Sequence, residues 1–152
     1  MLKPGDHAPE FTADDQDGLG RSLEDFRGNW VLLYFYPHDN TPGCTKEACS
    51  LRDNFEALKK YVTVVGVSGD SVKSHAAFVE KHGLPFTLLA DPERQVIGTY
   101  GADGVLFPKR TSFLIDPNGI IVKVYEKVKP TEHAEELLAD FVDLIDTISE
   151  HP

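Results

Sequence analysis

Three mainly apolar runs predict strands that are buried on both faces of a sheet. They cover residues 30–36, 62–67 and 86–90, and they are rich in valine, leucine, phenylalanine and tyrosine. Apolar runs of this length, without alternating polar residues, are typical of strands inside a partly parallel sheet. The pattern therefore predicts a central sheet that is covered on both faces.

The segment between the first two runs predicts a long helix. Residues 42–61 carry apolar side chains at helical spacing, and Pro42 suits the first position of a helix. The apolar positions are Ala48, Leu51, Phe55 and Leu58. A helix that joins two buried strands predicts a right-handed crossover between parallel neighbours.

Capping residues predict the other helices. Ser22 opens one short helical turn, and Ser71 opens a helix that runs to residue 82 and ends at Gly83. Asp91, followed by proline, predicts a helix that ends near residue 101, and Thr131 opens the last helix. The apolar stripe of that last helix consists of Ala134, Leu137, Leu138, Phe141, Leu144, Ile145 and Ile148.

Turn-forming residues predict two β-hairpins. One lies within residues 10–21, and the other pairs residues 111–115 with residues 120–124 around an Asp-Pro-Asn-Gly turn. Together with the alternating strands and helices, these hairpins predict an α/β protein with a thioredoxin-like fold. We expect a central mixed β-sheet flanked by helices on both faces, with an N-terminal β-hairpin extension.

Length and charge narrow the class of protein. A chain of 152 residues predicts a single domain covering 1–152, and a net charge of −10 argues against nucleic acid or an anionic membrane as a partner. No apolar stretch approaches the roughly 18 residues that a membrane span needs. The first residues contain no apolar signal segment, so we expect a cytoplasmic protein. In a reducing compartment, its two cysteines are expected to be catalytic, metal-binding or simply buried.

The first cysteine lies where a helix favours a thiolate. Thr41 is a suitable N-cap, which places Cys44 at the third helical position, near unpaired N–H groups. Lowering a cysteine pKa from ~8.5 to ~6 takes about 3.4 kcal/mol, whereas a helix terminus supplies at most ~2 kcal/mol. A cation is therefore needed near the sulfur, and Arg110 at the start of a predicted strand is the candidate.

The residues around this cysteine resemble a known family. Pro37, Thr41 and Cys44 match the proline, threonine and cysteine of the peroxiredoxin active-site motif, and residues 41–49 (TPGCTKEAC) resemble its Q-type, or bacterioferritin-comigratory-protein, branch. The resemblance extends from about residue 5 to the last helix. It includes residues 52–53, 66–68, 84–86, 88–91 and 110–116.

The resemblance implies a thiol peroxidase that reduces hydrogen peroxide and organic hydroperoxides. Cys44 is then the peroxidatic cysteine, which becomes a sulfenic acid, and Cys49 is the resolving cysteine, which forms an intramolecular disulfide. Thioredoxin or a similar thiol donor is the implied reductant. The other implied site residues are Thr41, Gly43 and Arg110 as donors to the peroxide, Pro37 and Pro42 as shields of the sulfur, and Glu47 as the partner of an arginine.

Two features depart from the family pattern. His38 stands where relatives often carry lysine, which predicts a weaker or pH-dependent positive charge. The segment 102–109 is shorter than in many relatives, and this length bears on which peroxides fit.

Other interpretations of the same residues stay open. Cys49 could merely pack, and a redox sensor, relay or chaperone could use the same cysteine switch without peroxide turnover. We expect no cofactor and no metal, because the cysteines lack a second ligand pair and the histidines are scattered. We expect most histidines at the surface and Asp39 as a turn residue. A monomer is expected, with a weak dimer as the alternative. The six histidines are His7, His38, His75, His82, His133 and His151.

Overall fold

Seven strands form one mixed sheet in the part of the chain that the structure describes. The computed structural model describes residues 2–104 and 108–150, with side chains up to residue 141. The strand order is β2-β1-β5-β4-β3-β6-β7. The strands are β1 (Thr12–Asp15), β2 (Gly20–Ser22), β3 (Val31–Phe35), β4 (Thr63–Ser68), β5 (Thr87–Ala90), β6 (Thr111–Ile115) and β7 (Ile121–Tyr125).

The middle of the sheet is parallel and its flanks are antiparallel. β4 pairs in parallel with both β3 and β5, while β6 and β1 add antiparallel strands on either side. β1 with β2 forms the predicted N-terminal hairpin, and β6 with β7 forms the second one. The predicted mixed sheet is therefore confirmed, with strand ends that differ by at most one residue in the central strands.

Helices cover both faces of the sheet, as predicted. On one face, α1, α2 and α5 pack with Phe78 of α3 against Leu32 and Tyr34 of β3. On the other face, a 3-10 helix and α4 pack against Leu33 and Phe35. The helices are α1 (Pro42–Asp53), α2 (Phe55–Leu58), α3 (Val72–His82), α4 (Gln95–Thr99), α5 (His133–Glu150) and the 3-10 helix (Leu23–Phe26). No helix in the described ranges is long and apolar enough to cross a membrane.

Two of the predicted caps form as the sequence indicates. The Ser71 hydroxyl accepts a hydrogen bond from the Ser74 N–H (3.1 Å), and Gly83 ends α3 with φ of +59°. In the first short helix, the Asp25 carboxylate accepts the Ser22 N–H at 3.0 Å. These local bonds use the N–H and C=O groups that a helix end leaves unpaired.

The predicted helix 42–61 is wrong in its second half, because it is interrupted at Asn54. This residue leaves the helical conformation (φ −101°, ψ 7°) and its side-chain amide donates to the carbonyl of Ser50 at 2.8 Å. An asparagine that bonds the backbone in this way competes with the helical pattern. The functional helix is therefore only the twelve residues of α1.

The predicted helix start at Asp91 is also wrong. Its carboxylate accepts the N–H groups of Gln95 and Ile97, at 3.0 and 2.8 Å, so the cap acts across a turn and α4 begins only at Gln95. Arg94 takes the left-handed conformation (φ 58°) that closes this turn.

The last helix begins at His133, two residues after the predicted start at Thr131. His133 is buried, contrary to the expectation for most histidines, and its Nε2 lies 2.9 Å from the Ser112 hydroxyl of β6. Burial lowers the pKa of His133, although Glu136 opposes this effect, so a neutral ring joins the helix to the sheet. The predicted stripe positions Leu144, Ile145 and Ile148 lie outside the described side chains.

Candidate active site

The loop after β3 and the first turn of α1 position the buried thiol of Cys44. β3 ends at Phe35, and α1 begins at Pro42, so Cys44 is the third residue of the helix, as predicted. Its side chain is only 2% exposed. A sulfur at this position lies beside the free N–H groups and the positive end of the helix.

Arg110 joins this sulfur to a buried carboxyl group. Its Nη2 lies 3.5 Å from the Cys44 Sγ, and its Nη1 donates to the Glu47 Oε1 at 3.1 Å. Gly43 leaves room for this group, because a Cβ atom at position 43 would lie 2.9 Å from the Arg110 Nη2 and would displace the guanidinium group. The structure thus brings together four of the residues that the sequence singled out.

Glu47 is an unusual carboxyl group because it is fully buried. Burial raises its pKa to about 7, even though the charge and the hydrogen bond of Arg110 act in the opposite direction. Its Oε2 has no hydrogen-bond partner, and the nearby hydroxyl of Tyr34 is also unpaired. Burial, followed by the charge of Glu47, raises the pKa of Tyr34 well above its ordinary range. At neutral pH, the carboxyl group beside Arg110 is therefore about half protonated.

Thr41, Pro37 and Pro42 shape the entrance to α1. Thr41 occupies the N-cap position, but its hydroxyl donates to the carbonyl of His38 at 2.9 Å instead of accepting a helix N–H. Pro42 is exposed at the first helical position, and Pro37 is partly buried in the preceding loop. The predicted hydrogen bond from Thr41 to a peroxide requires this hydroxyl to rotate.

Cys49 lies on the same helix, five residues beyond Cys44, and both are free thiols. Its side chain is partly exposed, and its Sγ lies 3.8 Å from the Nδ1 of His82 at the end of α3. Residues five apart in an α-helix are turned by about 140°, with Cα atoms about 8.7 Å apart. A disulfide needs Cα atoms within about 7 Å, so the two cysteines cannot bond in this conformation.

A buried polar network supports the loop that leads to Cys44, and the sequence interpretation missed it. Asp39 is buried instead of simply forming a turn, and it accepts hydrogen bonds from the Tyr36 hydroxyl (2.6 Å) and the Ser74 hydroxyl (2.9 Å). His75 is also fully buried, with Nδ1 2.7 Å from the Asp39 Oδ2 and Nε2 3.0 Å from the carbonyl of Leu89. Both ring nitrogens therefore face oxygen atoms, and His75 pairs with Asp39 inside the protein.

The electrostatics of Asp39 agree with this pairing. Burial alone raises its pKa, but the hydrogen bond and charge of His75, followed by the bonds from Tyr36 and Ser74, bring that pKa below its ordinary value. The sequence carried a signal for this network, because polar residues follow the first two apolar runs. The carboxyl ends of parallel strands lie at one edge of a sheet, so side chains that follow them meet there.

Asp70 connects the same network to His38. The Asp70 Oδ2 accepts the backbone N–H of Asp39 at 2.8 Å and the Ser68 hydroxyl at 2.6 Å, while its Oδ1 pairs with the Nδ1 of His38. Potential ligand atoms of Asp39, Asp70 and His75 lie within 4.8 Å of one another. The hydrogen bonds among these groups already account for their burial, so the arrangement does not require a metal ion.

Open space adjoins Arg110 on the side of the hairpin β6–β7. A cavity of about 360 Å³ is lined by Lys109, Arg110, Thr111, Glu126 and Lys127. Within the short segment 102–109, the N–H of Lys109 donates to the carbonyl of Ala102, while residues 105–107 lie outside the described part of the chain. Arg110 therefore borders this cavity as well as the Cys44 sulfur.

Comparison with known proteins identifies the family. Residues 4–124 match the model of the AhpC/TSA family. The chain is 47% identical over 146 residues to a putative peroxiredoxin bcp of Coxiella burnetii, covering 90% of this chain and 97% of that one. It is 46% identical over 139 residues to the chloroplastic peroxiredoxin Q of Sedum lineare, covering 88% of this chain and 75% of that one.

Solved structures agree with the sequence matches. A crystal structure of a mutant PrxQ from Xylella fastidiosa superposes with a TM-score of 0.91 at 31% identity, covering 95% of this chain and 98% of that one. The peroxidoxin BcpB of Mycobacterium tuberculosis superposes with a TM-score of 0.85 at 35% identity, covering 91% and 96%. These neighbours confirm the thioredoxin-like fold. The chain therefore belongs to the AhpC/TSA family of thiol-dependent peroxidases, in its peroxiredoxin Q, or bacterioferritin-comigratory-protein, branch.

Proposed function

We propose that this peroxidase reduces hydrogen peroxide and organic hydroperoxides with Cys44 as the peroxidatic cysteine. The observation that carries the proposal is the Arg110 guanidinium 3.5 Å from a buried sulfur in the first turn of α1. The Cys44 thiolate attacks one peroxide oxygen, a sulfur–oxygen bond forms and the O–O bond breaks. The leaving oxygen takes up a proton to give water or an alcohol, and Cys44 becomes a sulfenic acid.

Donors next to the sulfur support this step. Negative charge develops on the leaving oxygen, so groups that donate hydrogen bonds there accelerate the reaction. Arg110 is fixed for this role by Glu47, and the backbone N–H groups of Gly43 and Cys44 lie at the free end of α1. The cavity beside Arg110 offers space for the organic part of a larger hydroperoxide.

In the second half of the catalytic cycle, we assign Cys49 as the resolving cysteine. Its sulfur attacks the sulfenic sulfur of Cys44, the disulfide forms and water leaves. Because the two positions cannot bond within an intact helix, the first turns of α1, about residues 42–51, must open first. Opening also exposes the disulfide to a reductase, for which thioredoxin or a similar dithiol protein is the proposed donor.

Thiol counting tests these roles. One equivalent of peroxide added to the reduced protein should remove two thiols, and Cys44→Ser should abolish peroxide consumption. Cys49→Ser should react once and then remain as a sulfenic acid that is open to further oxidation. Normal turnover of Cys49→Ser with thioredoxin as the only reductant would show that Cys49 has no resolving role.

A sensor, relay or chaperone that uses the same cysteine switch is the alternative. Sustained peroxide consumption with an excess of thioredoxin, its reductase and NADPH supports the peroxidase, whereas a single stoichiometric oxidation supports the switch. A monomer, a single domain over 1–152 and a cytoplasmic location stay predictions. The location fits a thiol cycle that needs a steady supply of electrons.

A further inference from the structure

Cys49 makes a close contact with a histidine from another helix. Its Sγ lies 3.8 Å from the Nδ1 of His82, the last residue of α3. The imidazole ring stands edge-on to Phe78, with ring centroids 5.0 Å apart. The backbone carbonyl of His82 accepts a hydrogen bond from the Arg52 Nη1 at 2.7 Å. Phe78 packs against the imidazole ring, and the Arg52 bond ties the end of α3 to α1 beside the thiol.

Arg52 and Asp53 of α1 are charged neighbours of this pair. Arg52 interacts electrostatically with Cys49, and its own pKa is raised chiefly by the hydrogen bond to Asp53 and further by Cys49. Asp53 lies 3.0 Å from the Arg52 Nη2, with its side chain mostly exposed. The Asp53 carboxylate pairs with Arg52, whereas the imidazole Nδ1 of His82 lies within 3.8 Å of the Cys49 sulfur.

We propose that His82 is the general base of the resolving step, an inference that rests on the resolving role proposed above for Cys49. The proton on the Cys49 Sγ moves to the His82 Nδ1, which requires the tautomer with its proton on Nε2. The sulfur of Cys49 attacks the sulfenic sulfur of Cys44, and the sulfur–oxygen bond breaks. The departing hydroxide takes the proton from the imidazolium and leaves as water.

The far end of the opening segment of α1 is anchored next to the base. Leu51 is fully buried, and the bond between Arg52 and the carbonyl of His82 ties this end of the segment to α3. The first turn, in contrast, begins at the exposed Pro42. Opening therefore spreads from the Cys44 end, and the Cys49 sulfur starts from its contact with His82 as Cys44 moves towards it.

The effect of removing the base can be stated as a rate. A thiol with an ordinary pKa of about 8.5 is only about 3% thiolate at pH 7, so loss of the base slows disulfide formation by about 10- to 30-fold. At about pH 9, most such thiols ionise without a base, and the difference falls to about twofold or less.

Single-turnover kinetics on the full-length reduced protein test the proposal. One equivalent of hydrogen peroxide is mixed with wild type, with His82→Gln and with His7→Gln, a matched change at an exposed position that bridges to Ile120. Sulfenic acid trapping and thiol counting follow the two steps at about pH 7 and about pH 9. His82→Gln should form the disulfide slowly at the lower pH and recover at the higher pH, while His7→Gln matches wild type.

Two outcomes would overturn the role of His82. Equal rates of disulfide formation in wild type and His82→Gln at neutral pH would show that the contact is not used. A slow rate that does not recover at high pH would show that His82 only shapes the site. If the wild type itself loses one thiol instead of two, the resolving role of Cys49 fails first, so the two failures are distinguishable.

Discussion

The buried carboxyl group of Glu47 should make the free energy of unfolding depend on pH. Glu47 is fully buried, and burial raises its pKa from the ordinary 4.5 to about 7. Below about pH 4.5 the group is protonated in both the folded and the unfolded chain. As the pH rises from 4.5 to 7, the unfolded chain releases this proton before the folded chain does, so the folded state loses stability.

The magnitude follows from the two pKa values. The interval from 4.5 to about 7 corresponds to about 3 kcal/mol, at about 1.36 kcal/mol for each pH unit. Glu47→Gln resembles the protonated form, since its amide oxygen can still accept the hydrogen bond from Arg110. The free energy of unfolding of the variant, relative to that of wild type, is therefore expected to rise by about 3 kcal/mol as the pH increases from about 4 to about 8.

Urea denaturation under reducing conditions measures this difference. The free energy of unfolding of wild type and Glu47→Gln is compared at several pH values, and other titrating groups cancel in the difference. Glu80→Gln is the matched control, because Glu80 is exposed on α3 and its difference from wild type should not vary with pH. A constant difference between Glu47→Gln and wild type across this range would refute the raised pKa.

Three further predictions concern the site and its supports. Arg110→Ala should slow peroxide attack by about 10²-fold or more and move the ionisation of the active-site thiol to higher pH; an unchanged rate and titration would contradict its role. Hydrogen exchange of amides 45–52 should be faster in the disulfide form than in the reduced form, and equal protection would contradict the opening of α1. His75→Ala should destabilise the fold by about 3 kcal/mol or more, measured by urea denaturation, because it leaves Asp39 buried without its ion-pair partner; an effect no larger than that of His7→Ala would refute the pairing.

Local pattern was sufficient to predict most of the fold. The apolar runs predict the central strands β3, β4 and β5, because strands buried on both faces need continuous hydrophobic side chains. The Asp-Pro-Asn-Gly turn predicts the β6–β7 hairpin, since few residues adopt that backbone. The helix interruption at Asn54 escaped prediction, because the apolar spacing continues through it and only the side-chain bond to the backbone breaks the helix.

The position of Cys44 could also be read from the sequence. Proline at the first helical position and threonine before it are local signals, and they place the cysteine third in α1. The need for a cation followed from energies alone, and the structure supplies Arg110, the residue just before β6 and 66 residues further along the chain. The motif of the family then identified the chemistry around this sulfur.

Only the tertiary structure decided which residues distant in sequence are in contact. The polar residues after β3 and β4 indicate that Asp39 and Asp70 lie at one edge of the sheet, but they do not show that His75 is buried against Asp39 or that His82 touches Cys49. The spacing of a histidine along the chain carries no information on what it faces. The raised pKa of Glu47 likewise depends on burial from every side. The sequence does not show how the surrounding helices and strands pack around this side chain. Sequence fixes which groups are available, whereas burial and distance set their charge and therefore their role.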